Sequence, residues 1–117
     1  MVADLDTTTL NAKALKTIRK AVHLDQRGFA RLSNNSRETV IKFEKSGTVS
    51  QGAKRNLAEA VRLLAGLSDI MEQKNISLWL TTPNRNYQNK SPLELIEAGR
   101  SDIIWSIIER ARQSSFA

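Results

Sequence analysis

The sequence has no cysteine and a single histidine, His23. There is therefore no disulfide scaffold, no thiolate zinc site and no cysteine nucleophile, and one imidazole cannot build a histidine metal cluster. No stretch approaches the ~20 apolar residues that a membrane-spanning helix needs. The opening residues, MVADLDTTTL, are acidic and lack the basic and apolar regions of a secretory signal. Glycine-rich phosphate loops and nucleophile motifs are also missing. Carboxylates such as Glu94 and Glu97 read better as helix-start and surface residues than as an acid–base pair. These absences lead to the expectation of a cytoplasmic protein with no catalytic residues, no metal and no other cofactor.

The 117 residues suffice for one domain, or for two very small ones sharing a core. Apolar residues make up 40% and charged residues 26%, an ordinary globular balance. The net charge is +6. Its distribution is uneven: residues 1–56 hold eleven Lys/Arg against five Asp/Glu, and residues 57–117 hold seven of each. One half thus has the footprint of a chain that meets a polyanion, while the other is electrically neutral. A solvated basic surface is the plainer alternative.

Helical spacing dominates, and the expected fold is an all-α small helical bundle. Leu10, Ala14, Leu15, Ile18 and Val22 predict a first helix, with His23 near its end to favour the helix dipole. Asp25 caps a short second helix through Phe29, Ala30 and Leu32. Ser33-Asn34-Asn35 is turn chemistry, and Ser36 caps a third helix through Val40 and Phe43 that stops near Gly47. A fourth helix is predicted from Ala53 to Gln73. Its apolar face, with Leu57, Val61, Leu64 and Met71 along one edge and Leu63, Leu67 and Ile70 along the other, is wider than the ~100° stripe of a one-sided helix. That width predicts two packing partners, and Leu63, Leu67 and Ile70 are candidate surface for a two-fold dimer. A helix over Ser77–Leu80 ends at Thr82-Pro83-Asn84. After a polar loop, Ser91-Pro92-Leu93-Glu94 is a capping-box start, Gly99 a stop, and Asp102–Gln113 a last helix.

Two short helices joined by a three-residue turn form the helix-turn-helix unit, and QRGFARLSNNSRETVIKFE, residues 26–44, meets its steric demands. Ala30 stands where the helices cross, and Phe29, Leu32, Val40 and Phe43 face inward. Ser36-Arg37-Glu38-Thr39-Val40, with Phe43-Glu44 at the end, resembles the recognition helix of the Xre, or repressor-like, DNA-binding family. Asn34 replaces that family's turn glycine, and Ser33 and Asn35 replace apolar residues, so the turn is expected to be less tightly packed. The resemblance implies a third helix lying in the major groove. Arg37 is then the best base reader, because a guanidinium bonds two guanine acceptors at once. Glu38 accepts from cytosine, Thr39 and Lys42 face outward, and Gln26 and Ser36 anchor phosphates at helix starts. Lys13, Lys16, Arg19 and Lys20 of the first helix add distant charge. The alternative is a helical hairpin with solvated charges, or a helix-turn-helix that has lost its DNA.

In the neutral half, Trp79-Leu80, Pro83-Asn84, Ser91-Pro92-Leu93-Glu94-Leu95 and Gly99 resemble the toxin-binding domain of MbcA/ParS/Xre antitoxins. Lys90 departs from it where glycine is common. Each of these residues also has a structural role in a helical fold: Trp79 as core, Pro83 as a stop, Pro92 as a start. The resemblance implies residues 1–51 as a DNA-binding region and 52–117 as a toxin-binding region, with the fourth helix shared. It implies a type II antitoxin that forms a homodimer, binds operator DNA and neutralises a RES-domain toxin that consumes or transfers from NAD. A stand-alone repressor is the alternative. The toxin-facing residues would then be Trp105, Arg112, Gln113, Ser114, Ser115 and Phe116. Trp105 lies ~130° from the centre of the last helix's isoleucine stripe on a wheel of ~100° per residue, so it is expected at an edge or exposed, covering either the toxin or a neighbouring helix.

Overall fold

Capping chemistry sets most of the helix starts. In the computed structural model, which describes residues 10–114, the helices are α1 (Ala12–Ala21), α2 (Gln26–Leu32), α3 (Arg37–Ser46), α4 (Gln51–Ser68), α5 (Gln73–Thr81), α6 (Pro92–Glu97) and α7 (Ser101–Ser114). Asn11, Asp25, Ser36 and Ser50 accept the backbone N–H of Ala14, Gly28, Thr39 and Ala53, each satisfying a donor that a helix start leaves unpaired. At α6 the box is reciprocal: Ser91 Oγ accepts from Glu94 N–H, and the Glu94 carboxylate accepts from Ser91 N–H. The loop before it contains a 3-10 turn, Arg85–Tyr87, and is pinched by a single antiparallel bridge between Asn84 and Lys90.

The predicted helices are present, with one correction. The fourth does not reach Gln73. It stops at Ser68, the chain turns through residues 69–72, and α5 starts at Gln73. The exit tightens into short-range bonds, Asp69 N–H to Gly66 O and Ile70 N–H to Leu67 O. The turn brings Ile76 and Leu80 of α5 back into the core, where both are fully buried. A continued helix would have carried them away from α4.

The turn between α2 and α3 also differs from expectation. Asn34 takes the left-handed conformation at φ 53°, as its place demands. Ser33 and Asn35 do not loosen the turn, because hydrogen bonds replace the missing apolar packing. The buried Ser33 Oγ donates to Phe29 O at 2.9 Å, and Asn35 Nδ2 reaches both Ser33 Oγ and the α4 carbonyl of Ala53 at 3.3 Å. His23 ends α1 through its backbone: at φ 62° its N–H bonds Lys20 O, and Leu24 N–H closes on Arg19 O.

One apolar cluster runs from Leu10 to Ile108 through both halves of the chain. Helices α1, α2 and α3 pack together, α4 packs on α5 and α7, and α6 bridges α5 and α7 to α2. The wide face of α4 is thus used within one chain. Leu63 and Leu67 are buried and Ile70 is half-buried, so this face does not supply the dimer surface expected of it. Among the described residues, no helix is long and apolar enough to cross a membrane.

Candidate nucleic-acid interface and partner surface

The α2–turn–α3 unit is built from the inside out. Phe29, Ala30, Leu32, Val40 and Phe43 are buried, as their spacing predicts, and this fixes α2 on α3 and α3 on α1. Below them lies a charged clamp. Arg19 of α1 forks onto Glu44 of α3, Nε to Oε2 at 2.6 Å and Nη2 to Oε1 at 3.0 Å, while Nη1 donates to Leu24 O at 3.0 Å. Gln26 Nε2 adds a bond to Glu44 Oε1 at 3.2 Å. Burial pushes the Glu44 carboxyl up, but the hydrogen bonds from Arg19 and Gln26, with the charges of Arg19 and Lys16, outweigh it and hold Glu44 below the usual carboxylate range.

That clamp corrects one sequence expectation. Arg19 is not an outward cation; it is buried and neutralised, whereas Lys13, Lys16 and Lys20 are exposed. The amide of Gln26, expected at phosphate, is occupied by Glu44. Ser36 spends its hydroxyl on the cap of α3 and on Thr39 Oγ1 at 2.9 Å, and Thr39 is half-buried, not fully outward. Arg37, Glu38 and Lys42 are exposed, and Arg37 and Lys42 have no ion-pair partner among the described residues.

Two residues that sequence reasoning did not single out join Arg37. Arg27 and Arg31 of α2 line the same groove of about 430 Å³, together with Asn34, Asn35 and Glu97 of α6. Arg31 is held by Glu97, Nε to Oε2 at 2.9 Å and Nη2 to Oε1 at 2.8 Å. The hydrogen bond and the charges of Glu97 and Glu94 raise the Arg31 pKa, and the same hydrogen bond lowers that of Glu97. No sequence signal connects residues 66 positions apart; the packing of α6 on α2 does.

The last helix, α7, lies on α4 with Ile104 and Ile108 buried and Ile103, Ile107 and Ala111 half-buried. Trp105 is half-buried, at the edge of the stripe, and covers Gly66 of α4. A Cβ on Gly66 would stand 3.0 Å from Trp105 Cζ3 and 3.1 Å from Ile108 Cδ1, so any larger residue requires those side chains to shift by a few tenths of an ångström. The indole forms one wall of a groove of about 930 Å³ between the end of α4, the start of α5 and α7. Arg112 reaches back to Asp69 at 2.8 Å and to Glu109 at 3.0 Å. Gln113 and Ser114 are exposed at the end of α7, and Ser115 and Phe116 lie outside the described residues.

Comparison by sequence finds no matching protein family and no matching curated protein. Comparison by structure finds a chain of the M. tuberculosis MbcT-MbcA toxin-antitoxin complex, with a TM-score of 0.70 and 18% sequence identity over 91% of this chain and 96% of that one. The match runs along nearly the whole of both chains, and what the two have in common is the all-helical fold.

Proposed function

We propose that this chain is the antitoxin of a type II toxin–antitoxin pair: it neutralises a RES-type toxin that consumes NAD or transfers ADP-ribose, and it represses its own operon by binding DNA as a homodimer in the cytoplasm. The observation that carries this reading is the correspondence, along almost the full length of both chains, with a chain of a toxin–antitoxin complex. On this reading residues 1–51 serve DNA and 52–117 the toxin. The chain performs no chemistry of its own. Its last helix and tail obstruct the toxin's active-site cleft, with Trp105, Arg112 and residues 113–116 as the contacts. The bare Arg37 and Lys42 on α3, and a charge excess confined to residues 1–56, support the DNA-binding part.

Co-expression with the product of the adjacent gene tests the toxin part. The chain should co-purify with it and suppress its NAD consumption. Deleting residues 113–117, or replacing Trp105→Ala, should weaken suppression while circular dichroism and DNA binding stay intact. Full inhibition by both variants would move the toxin site elsewhere, with the loop around Arg85 and Tyr87 next. Light scattering at about 13 kDa under tens of micromolar protein would refute the dimer. The second reading, a stand-alone repressor, is favoured by the charge distribution alone, and the absence of a RES-type neighbouring gene would select it.

A further inference from the structure

The groove between α2, the turn and α6 carries an inference that rests on the DNA-binding reading and deepens it. Arg27, Arg31 and Arg37 line it with the side chains of Asn34 and Asn35, and a single carboxylate, Glu97, enters from the other half of the chain. We infer that this groove seats a DNA backbone phosphate, and that Glu97 stands in the phosphate's place as a built-in competitor for Arg31.

The geometry of the pair is that of phosphate recognition. Glu97 offers two anionic oxygens to the guanidinium fork at 2.8 and 2.9 Å, the same two-point match a phosphodiester makes. Neither partner is locked away: the side chains are 41% and 39% exposed, so exchanging one anion for another costs little desolvation. The carboxylate is presented by a rigid element. α6 is fixed at its start by the Ser91–Glu94 box and along its length by the buried Leu93, Leu95 and Ile96. Arg31 is as firmly based, on an α2 whose Phe29, Ala30 and Leu32 are buried. Arg37, which opens α3, shares the groove, so a phosphate held there lies beside the residue expected to read bases. Among the described residues, Arg31–Glu97 is also the ion pair that joins residues 1–51 to residues 52–117. The neutral half thereby withholds one cation from the basic half.

The test is a salt series of fluorescence anisotropy on the full chain, with a labelled duplex of random sequence and one from the upstream promoter. Glu97→Gln keeps the shape and removes the charge, and circular dichroism checks its folding. It should bind both duplexes about two- to five-fold more tightly than the parent, the factor by which an exposed ion pair competes. Its plot of log affinity against log salt should steepen by about 0.9, one extra phosphate neutralised. In an Arg31→Ala background the same substitution should tighten binding less, because only the repulsion between the carboxylate and DNA is then relieved and no cation is freed. Unchanged or weaker binding by Glu97→Gln, or equal tightening without Arg31, overturns the inference while leaving DNA binding in place. Parent and variant both failing to bind either duplex in a salt-sensitive way overturns the DNA reading itself. If tightening appears only toward the co-purified toxin, the groove serves an acidic protein surface and the phosphate assignment is wrong.

Discussion

Replacing Arg19 with methionine should unfold this protein far more readily than its surface chemistry suggests. The side chains of Arg19 and Glu44 are only 10% and 5% exposed, and the guanidinium makes two bonds to the carboxylate and a third to Leu24 O. Arg19→Met leaves a buried carboxylate with only Gln26 as donor, and breaking such a pair from one side costs about 3–5 kcal/mol. At about 4 °C per kcal/mol for a chain of this size, the melting temperature at neutral pH should fall by about 12–20 °C. Arg19→Met with Glu44→Leu should recover much of that loss, because no charge is then left buried. The acid limb provides a second measure. The Glu44 carboxyl is held below its ordinary value, so its stabilisation is complete above the unfolded carboxyl pKa of about 4.3 and is lost as pH falls through the folded value. Melts followed by circular dichroism from pH 7 down to pH 3 should therefore show an acid loss in the parent that the double variant lacks in part. A cost below about 1 kcal/mol for Arg19→Met, as for a solvent-exposed pair, would refute the reasoning.

Arg37→Ala should cost about 1–3 kcal/mol on the preferred DNA site and relax base choice, whereas Lys42→Ala should weaken all sequences alike and lower the salt slope by about 1; both are read by anisotropy. Gly66→Ala forces a Cβ against the Trp105 ring, and the overpacking should outweigh the helix-propensity gain by about 1 kcal/mol in a thermal melt, with a red shift in tryptophan emission. An unchanged melt and spectrum would mean that the ring gives way freely. Ser91→Ala removes half of the α6 capping box and should cost about 1 kcal/mol in urea unfolding, without altering the slope of the transition.

Local chemistry was enough to determine the all-α class, the caps at Asp25, Ser36 and Ser91, the stops at Gly47 and Gly99, and the inward set Phe29, Ala30, Leu32, Val40 and Phe43. Each of these depends on residues within one or two turns, which periodicity and capping rules can see. The break after Ser68 depended on something else. Apolar spacing continues through Ile70 and Met71 with no proline, and a glycine, Gly66, only inside the last turn; the chain turns because Ile76 and Leu80 gain burial by folding back on α4. Burial of Leu63 and Leu67 inside one chain is likewise a property of how α5 and α7 cover α4, not of the α4 sequence. The clearest division lies among the charges. Sequence placed Arg19 with the cations of α1 and read Glu97 as a surface acid. Tertiary packing put the first beneath α3 against Glu44, 25 residues away, and the second onto Arg31, 66 residues away. Whether a cation is free for a partner is decided by which carboxylate the fold brings within hydrogen-bond reach, and pairing across that span of chain leaves no periodic trace in the sequence.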